Sequence, residues 1–278
     1  RGGPRGRGVR VGLATIQRGR HVHLARQAAA VAALRRGPDR YVVVSMDAAP
    51  PVDVPEAEVV ALPMAEGEPL PLAAARNRAM HALGDVDLAI LLDVDCLPGP
   101  ALVERYADAV GDALLAGPVG RLGPLPDDRE RPRPEELAAA RAAPGPRPVP
   151  PPGTVVREPR VELFWSLSFA VRPEVHERIG GFDEGYVGYG AEDTDYAFRA
   201  RSAGVGLSWV GGAWAYHQHH PVSSPPREHV RDIVRNASRF RARWGRWPME
   251  GWLGAFAAEG LVDWDPTGDT LALCAPSS

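Results

Sequence analysis

The sequence predicts an α/β protein: a doubly wound, mostly parallel central sheet flanked by helices. Three observations predict it. Strand-length apolar runs alternate with helical patterns through the first third of the chain. The runs, Val9 to Thr15, Tyr41 to Ser45 and Asp87 to Leu92, are continuous in apolar residues, as in strands buried on both faces. Carboxylates stand at the C-terminal ends of two of them, Asp47 and Asp93 to Asp95. Open α/β sheets place their ligands at such ends.

The elements follow in order. Val9 to Thr15 reads as the first strand. His21 to Arg35 has apolar residues at helical spacing (Leu24, Ala28, Val31, Leu34) and stops at Gly37-Pro38. Tyr41 to Ser45 is a second strand, and Val59 to Leu62 a short third. Leu72 to Leu83 is helical and carries Arg76 and Asn77. Asp87 to Leu92 is a buried strand running straight into Asp93-Val94-Asp95-Cys96. Ala101 to Leu115 again has a helical pattern. Residues 117–159 are rich in proline and mixed charge, which predicts a long irregular insertion with one helical patch at Pro134 to Ala143. Val161 to Val171 reads as a strand, Glu174 to Ile179 as a helix, Gly180 to Asp183 as a turn and Glu192 to Ala203 as a helix. Two short strands, Leu207 to Val210 and Ala213 to Tyr216, precede a helix over His229 to Trp244 and an aromatic-rich tail.

Composition narrows the function. A chain of 278 residues that is 45% hydrophobic can bury one large core. A formal net charge of −3 gives no field for a polyanion, so nucleic acid is not expected as a partner. The two cysteines, Cys96 and Cys274, make no disulfide framework, which fits a reducing, cytoplasmic setting. No apolar run reaches the roughly 18–20 residues of a membrane span. Arg1 to Arg10 is basic and glycine-rich without an apolar signal core, so residues 1–8 are expected to be a flexible start.

Four constellations carry chemistry. Asp93-x-Asp95 presents two carboxylates at a strand end, suited to a hard divalent cation shared with substrate phosphates; a solvated turn is the plainer alternative. Gly181-Phe182-Asp183-Glu184 leads to Gly188-Tyr189-Gly190-Ala191-Glu192-Asp193-Thr194-Asp195, where acids occupy the first turn of a helix. One acid would suffice as a cap, so Asp193 is assigned as general base for an acceptor hydroxyl and Glu192 as an acceptor contact. In His217-Gln218-His219-His220, His217 follows directly on a strand and is assigned to the metal, with His219 or His220 left open as its replacement. Arg76-Asn77 offers phosphate contact through the guanidinium fork, with a solvent-facing arginine as the alternative. Thr15, Gln17, Arg18 and Asp47 are candidates for base and ribose contacts. Trp165, Tyr186 and Tyr189 could stack on an acceptor ring, although core is the commoner fate of a tryptophan.

Taken in order, these residues resemble inverting glycosyltransferases of the A fold, family 2 and its galactosyltransferase-like relatives. Val11 to Arg18 resembles the opening strand and nucleotide loop, and Asp47 the uracil-contacting acid. Ala73 to Asn77 resembles an Ala-Arg-Asn helix, Ile90 to Pro98 the metal-binding segment, and Ile179 to Arg199 the segment Gly-Gly-Phe-Asp-Glu followed by Glu-Asp-x-Asp. His217 resembles the late metal-ligand histidine. The resemblance implies transfer of a sugar, with inversion, from a nucleotide-diphosphate sugar (a UDP-sugar first) to a carbohydrate or other hydroxyl acceptor. It implies Mn²⁺ or Mg²⁺ on Asp95 and His217, and Asp193 as base. The implied donor contacts are Thr15, Gln17, Arg18, Asp47, Arg76, Asn77, Asp93 and Val94, and the acceptor contacts Glu192, Trp165 and Tyr189. A catalytic domain is expected over 9–222 and a helical extension over 223–278, with peripheral membrane association or a homodimer left open. Three features depart from the family pattern: the 117–159 stretch, Ala191 where many relatives have a second glycine, and the tail. A nucleotidyltransferase, or an inactive nucleotide-sugar-binding protein, is the competing reading.

Overall fold

The first strand, β1 (Val11–Gln17), is buried along its whole length and lies between two parallel neighbours. Its side chains alternate between two cores. Ala14 and Ile16 join one, Val11 and Leu13 the other. The same alternation holds for β2 (Arg40–Ser45), which follows α1 (His21–Val31). This two-sided burial is why these runs are apolar throughout. The computed structural model describes residues 8–51, 54–126, 128–142, 147–221 and 223–275. The expected flexible start lies outside them apart from Gly8.

The chain continues through β3 (Glu58–Ala61), α2 (Leu72–Leu83), β4 (Leu88–Leu92), β5 (Cys96–Pro98), α3 (Leu102–Asp108), β6 (Ala113–Ala116), β7 (Val119–Arg121), α4 (Pro134–Ala142) and β8 (Val155–Glu158). Then come β9 (Ser168–Val171), α5 (Pro173–Ile179), α6 (Glu192–Ser202), β10 (Gly206–Val210), β11 (Ala215–His217), α7 (Val230–Trp244), α8 (Glu250–Ala258) and the hairpin β12 (Val262–Trp264) and β13 (Leu271–Leu273). The main sheet has eight strands in the order β3-β2-β1-β4-β9-β6-β10-β8. Its β3-to-β4 half is parallel, as is the β6–β10 pair, while β9 and β8 run against their neighbours. A small sheet, β5-β11-β7, sits at the C-terminal end of β4. Among the described residues no helix is long and apolar enough to cross a membrane.

Four expectations need correction. The helical pattern over Ala101 to Leu115 stops at Asp108, and Ala113–Ala116 is strand β6 between β9 and β10. Ala-Leu-Leu-Ala favours helix by propensity, but four apolar residues filling a gap in a sheet obey tertiary pairing. Val161 to Val171 is not one strand. A 3-10 turn at Val161–Leu163 precedes β9. The 117–159 stretch holds β7, α4 and β8, so it supplies the sheet's last strand. The tail is not only helical, since it closes with a hairpin that joins α7 and α8 in a separate core around Ile233, Trp247 and Phe256.

Close backbone approaches set the geometry near the sheet's C-terminal edge. A Cβ on Gly117 would lie 2.0 Å from the Ala213 carbonyl oxygen and 2.9 Å from the Tyr106 hydroxyl. Gly117→Ala should therefore push the end of β6 away from the segment before β11. We expect a loss of about 2 kcal/mol or more, read as a lower urea midpoint.

Candidate active site

Two segments far apart in sequence meet at Arg76. This arginine is on α2 and only 5% exposed. Its Nη2 donates to Asp93 Oδ1 at 3.2 Å and its Nη1 to Glu192 Oε1 at 2.9 Å. Its guanidinium also lies 5.5 Å from the centre of the Phe182 ring. The end of β4 and the start of α6 are thereby tied to one cation. Arg76 is therefore not the solvent-facing arginine of the plainer alternative, and one N–H at each end of its fork is given to a carboxylate.

Asn77, the next residue on α2, is hydrogen-bonded within the protein as well. Its amide donates to Phe182 O at 2.9 Å and Glu184 Oε1 at 2.8 Å, and its Oδ1 accepts from Phe182 N at 2.8 Å. Gly181 stands directly over it with φ of 67°, so a Cβ there would lie 3.0 Å from Asn77 Oδ1. Asn77 thus fastens the Gly-Gly-Phe-Asp turn.

The 93–96 turn is held by two glutamines that motif reasoning missed, because buried amides carry no sequence signal. Gln27 Nε2 donates to the carbonyls of Asp93 at 2.8 Å and Cys96 at 2.9 Å. The Gln218 backbone N–H donates to the Asp95 carbonyl oxygen at 2.7 Å, and its side-chain amide donates to Val94 O at 3.4 Å. The Val94 side chain is itself buried in the core. The β11–β5 pairing places His217 opposite Cys96. His217 Nε2 then lies 3.5 Å, and His220 Nε2 3.2 Å, from Asp95 Oδ2. The ligand atoms of Asp95, His217 and His220 all fall within 4.8 Å of one another. His220 thus stands beside His217 at Asp95, while His219 lines a neighbouring cavity of about 530 Å³ with Arg20, His21 and His23. Burial pushes the Asp95 carboxyl up, but the His220 hydrogen bond and the two imidazoles outweigh this and hold it below its ordinary value. Asp93 is raised, by burial and then by its neighbour Asp95, against the pull of Arg76.

The acids of α6 follow Ala191, whose φ is 72°. That is left-handed backbone, where glycine is relaxed and alanine costs about 1–2 kcal/mol. Glu192 Oε2 is buried without a hydrogen-bond partner. Asp193 Oδ1 accepts from Thr194 N at 2.7 Å and Oδ2 from Ser166 N at 3.4 Å. Burial, then the charge of Glu192, pushes the Asp193 carboxyl up to about 7.

The remaining candidates lie at the ends of β1 and β2 and in the segments before β9 and α6. At the ends of β1 and β2, Gln17 Nε2 donates to Asp47 Oδ2 at 2.6 Å and Ser45 Oγ at 2.7 Å, and Gly19 N donates to Asp47 Oδ1 at 2.8 Å. Thr15 Oγ1 and Gln17 Oε1 are buried without partners. Arg18 lies against Met64 Sδ. Trp165 and Tyr189 are 36% and 37% exposed. Tyr189 stacks on His229 at 4.6 Å and on Trp252 at 5.9 Å, both from the C-terminal part. Tyr186, in contrast, is core, with its hydroxyl on Asp195. Asn236 of α7 donates to the carbonyls of Val187, Tyr189 and Gly190 at 3.1, 3.3 and 3.0 Å, so α7 shapes the glycine-rich loop before α6.

Residues 159–221 match the family described as the N-terminal domain of galactosyltransferase. Validoxylamine A glucosyltransferase from Streptomyces hygroscopicus subsp. jinggangensis is 27% identical over 77 residues, which are 28% of this chain and 18% of that protein. The fold is similar to that of GalNAc-T7 crystallised with UDP, GalNAc and Mn²⁺ (TM-score 0.55, 14% identity, 91% of this chain and 57% of that one). It is similar also to residues 1–349 of S. aureus TarS (TM-score 0.55, 12% identity, 84% of this chain and 65% of that one). The chain spans less than a fifth of that curated relative and under two thirds of these two solved chains.

Two outcomes follow from this geometry. Arg76→Met strands the buried Glu192 and the partly buried Asp93 and should cost about 3 kcal/mol by chemical denaturation, with part of the loss recovered on adding Glu192→Gln. Asp193 binds its proton more tightly folded than unfolded, so its contribution is full below about pH 4 and is lost as pH rises towards 7. Asp193→Asn should therefore gain stability over the parent at pH 8, on the order of 2–4 kcal/mol, and little near pH 4.

Proposed function

On the footing of a glycosyltransferase A-type chain, we propose that this protein is a metal-dependent inverting glycosyltransferase taking its sugar from a nucleotide-diphosphate donor, a UDP-sugar first. The observation that carries the proposal is the Arg76 bridge, which joins the Asp93–Asp95 turn to the Glu192–Asp193 turn. It links the turn that bears Asp95 to the turn that bears Asp193, a carboxylate raised by burial. A second support is the segment 159–221, which contains Asp193 and His217 and matches a galactosyltransferase domain.

Asp193 takes the proton of the acceptor hydroxyl, whose oxygen forms a bond to the anomeric carbon. The bond to the donor's diphosphate oxygen breaks with its electron pair leaving on the nucleotide diphosphate. One displacement inverts the configuration. A carboxylate poised near neutrality suits this work, since a general base is most effective when its pKa is close to the working pH. Glu192, Trp165 and Tyr189 are the proposed acceptor contacts, a reading supported by the unpartnered Glu192 Oε2 and the exposure of the two rings. Thr15, Gln17, Arg18 and Asp47 are the proposed donor-base and ribose contacts, and Asp93 the contact to the donor sugar or ribose. The catalytic unit is proposed to span 9–222, with 223–278 as an appended element.

The residues fit a divalent cation. Two imidazole nitrogens and a carboxylate oxygen converge, and Asp95 Oδ1 is buried with no partner. Asp95, His217 and His220 would hold it, and the mixed nitrogen and oxygen set suits Mn²⁺ better than oxygen-preferring Mg²⁺. When bound, such an ion supplies positive charge for the departing diphosphate. The structure of GalNAc-T7 holds UDP, GalNAc and Mn²⁺.

A thermal-shift screen of nucleotide sugars with and without Mn²⁺ tests the donor. One UDP-sugar should raise the melting temperature only when metal is present, and Asp95→Ala should abolish the shift. Absence of any metal-dependent shift across UDP-, GDP- and TDP-sugars would end the reading. With the donor in hand, kcat/KM should fall tenfold per pH unit below an apparent pKa near 7, as Asp193 takes up a proton. Asp193→Asn should lose at least about 10²-fold in kcat while remaining folded.

A further inference from the structure

Arg147 enters the cleft from the proline-rich stretch and is 8% exposed. Its guanidinium lies 4.4 Å from the centre of the Trp165 ring and 5.5 Å from that of Trp209. Its Nη2 donates to the Trp165 carbonyl oxygen at 3.2 Å. The N–H of the same peptide unit, carried by Ser166, donates to Asp193 Oδ2 at 3.4 Å. Cation, peptide and carboxylate thus form a continuous chain of hydrogen bonds. The other guanidinium nitrogens, Nε and Nη1, have no partner among the described residues. A buried cation with unused donors is costly, and an apolar side chain would serve stability better. Asp193 is the leading charge that favours the Arg147 cation, against the burial that pulls it down to about 10.

We propose that Arg147 is a positioning residue for Asp193, acting through the Trp165–Ser166 peptide unit. A cation on the carbonyl oxygen polarises the amide and strengthens its N–H as a donor. The strengthened N–H holds the plane of the Asp193 carboxylate and favours its ionised form. The cation's own field acts in the same direction. The other groups that face Asp193 are Glu192 on the same helix, Arg76 on α2 and the Tyr189 phenol in the preceding loop. Arg76 also acts on Asp193 but is hydrogen-bonded to two other acids, so Arg147 is the second cation on this carboxyl and the one joined to it through the Trp165–Ser166 peptide.

The inference rests on Asp193 as the base, and its test separates the two. The Asp193 carboxyl is followed by ¹³C NMR over pH 4 to 9 in the full chain, its signal assigned by difference from Asp193→Asn. Arg147→Gln should raise the titration midpoint by about one pH unit, and the acid limb of kcat/KM should move with it. Arg147→Lys keeps the charge and should restore most of the shift, and it also serves if the glutamine variant fails to fold. A midpoint unchanged in both variants, with only a lower melting temperature, overturns the inference. If Asp193→Asn retains activity, the assignment of the base falls, while the NMR midpoint still decides whether Arg147 acts on this carboxyl.

Discussion

The bidentate hold of Arg76 on Asp93 and Glu192 is the interaction on which the rest of the site depends. Each carboxylate by itself would be expensive at that depth, since the cost of taking a charge from water falls due whether or not it finds a partner. One cation shared between them lowers that cost for both and fixes the distance between two turns that belong to different halves of the sheet. The arginine also draws on Asp193, but burial and the charge of Glu192 outweigh it there. Asp95 is held ionised by two imidazoles, and Asp193 is left desolvated beside Glu192. Two carboxylates near this clamp are thereby moved in opposite directions, Asp95 below its ordinary value and Asp193 above it.

The same region concentrates local cost. Ala191 holds a left-handed backbone that glycine would occupy more easily, Asp193 resists ionisation, and Glu192, Asp95 and Arg147 all carry buried polar atoms without partners. Such features persist where the surrounding packing over-determines them. Here the packing comes from both sides: the aromatic cluster of Phe164, Phe169, Phe182 and Tyr196 below α6, and α7 above the glycine-rich loop. Asp195, one turn further along, is fully paired with Arg243, Trp244 and Tyr186, so the helix start is anchored by an acid that is not free to react.

The proline-rich stretch and the tail, read from composition as an insertion and an extension, both reach the cleft. Pro150 and Pro151 press on Gly211, where a Cβ would lie 1.9 Å from the Pro151 carbonyl oxygen, and β8 completes the sheet. Proline content signals irregular backbone but says nothing about where that backbone docks. In the tail, the fully buried Asn236 carries no motif, yet its amide gathers three carbonyls of the loop that bears Tyr189.

By itself the sequence determined the parallel half of the sheet, α2 and α6, and set candidate reactive groups at the ends of these elements. Those features are written in local periodicity and in residue chemistry: a strand buried on both faces must be apolar throughout, and Asp, Glu and His are conspicuous at a strand or helix end. Tertiary structure alone decided that Ala113–Ala116 is a strand, that Arg76 and Asn77 are internal clamps, that His220 accompanies His217, and that Arg147 and two glutamines support the acids. Each of these depends on which distant segment lies alongside. A short apolar run fits helix or strand equally, and a polar side chain acquires its role from the partner that burial brings to it.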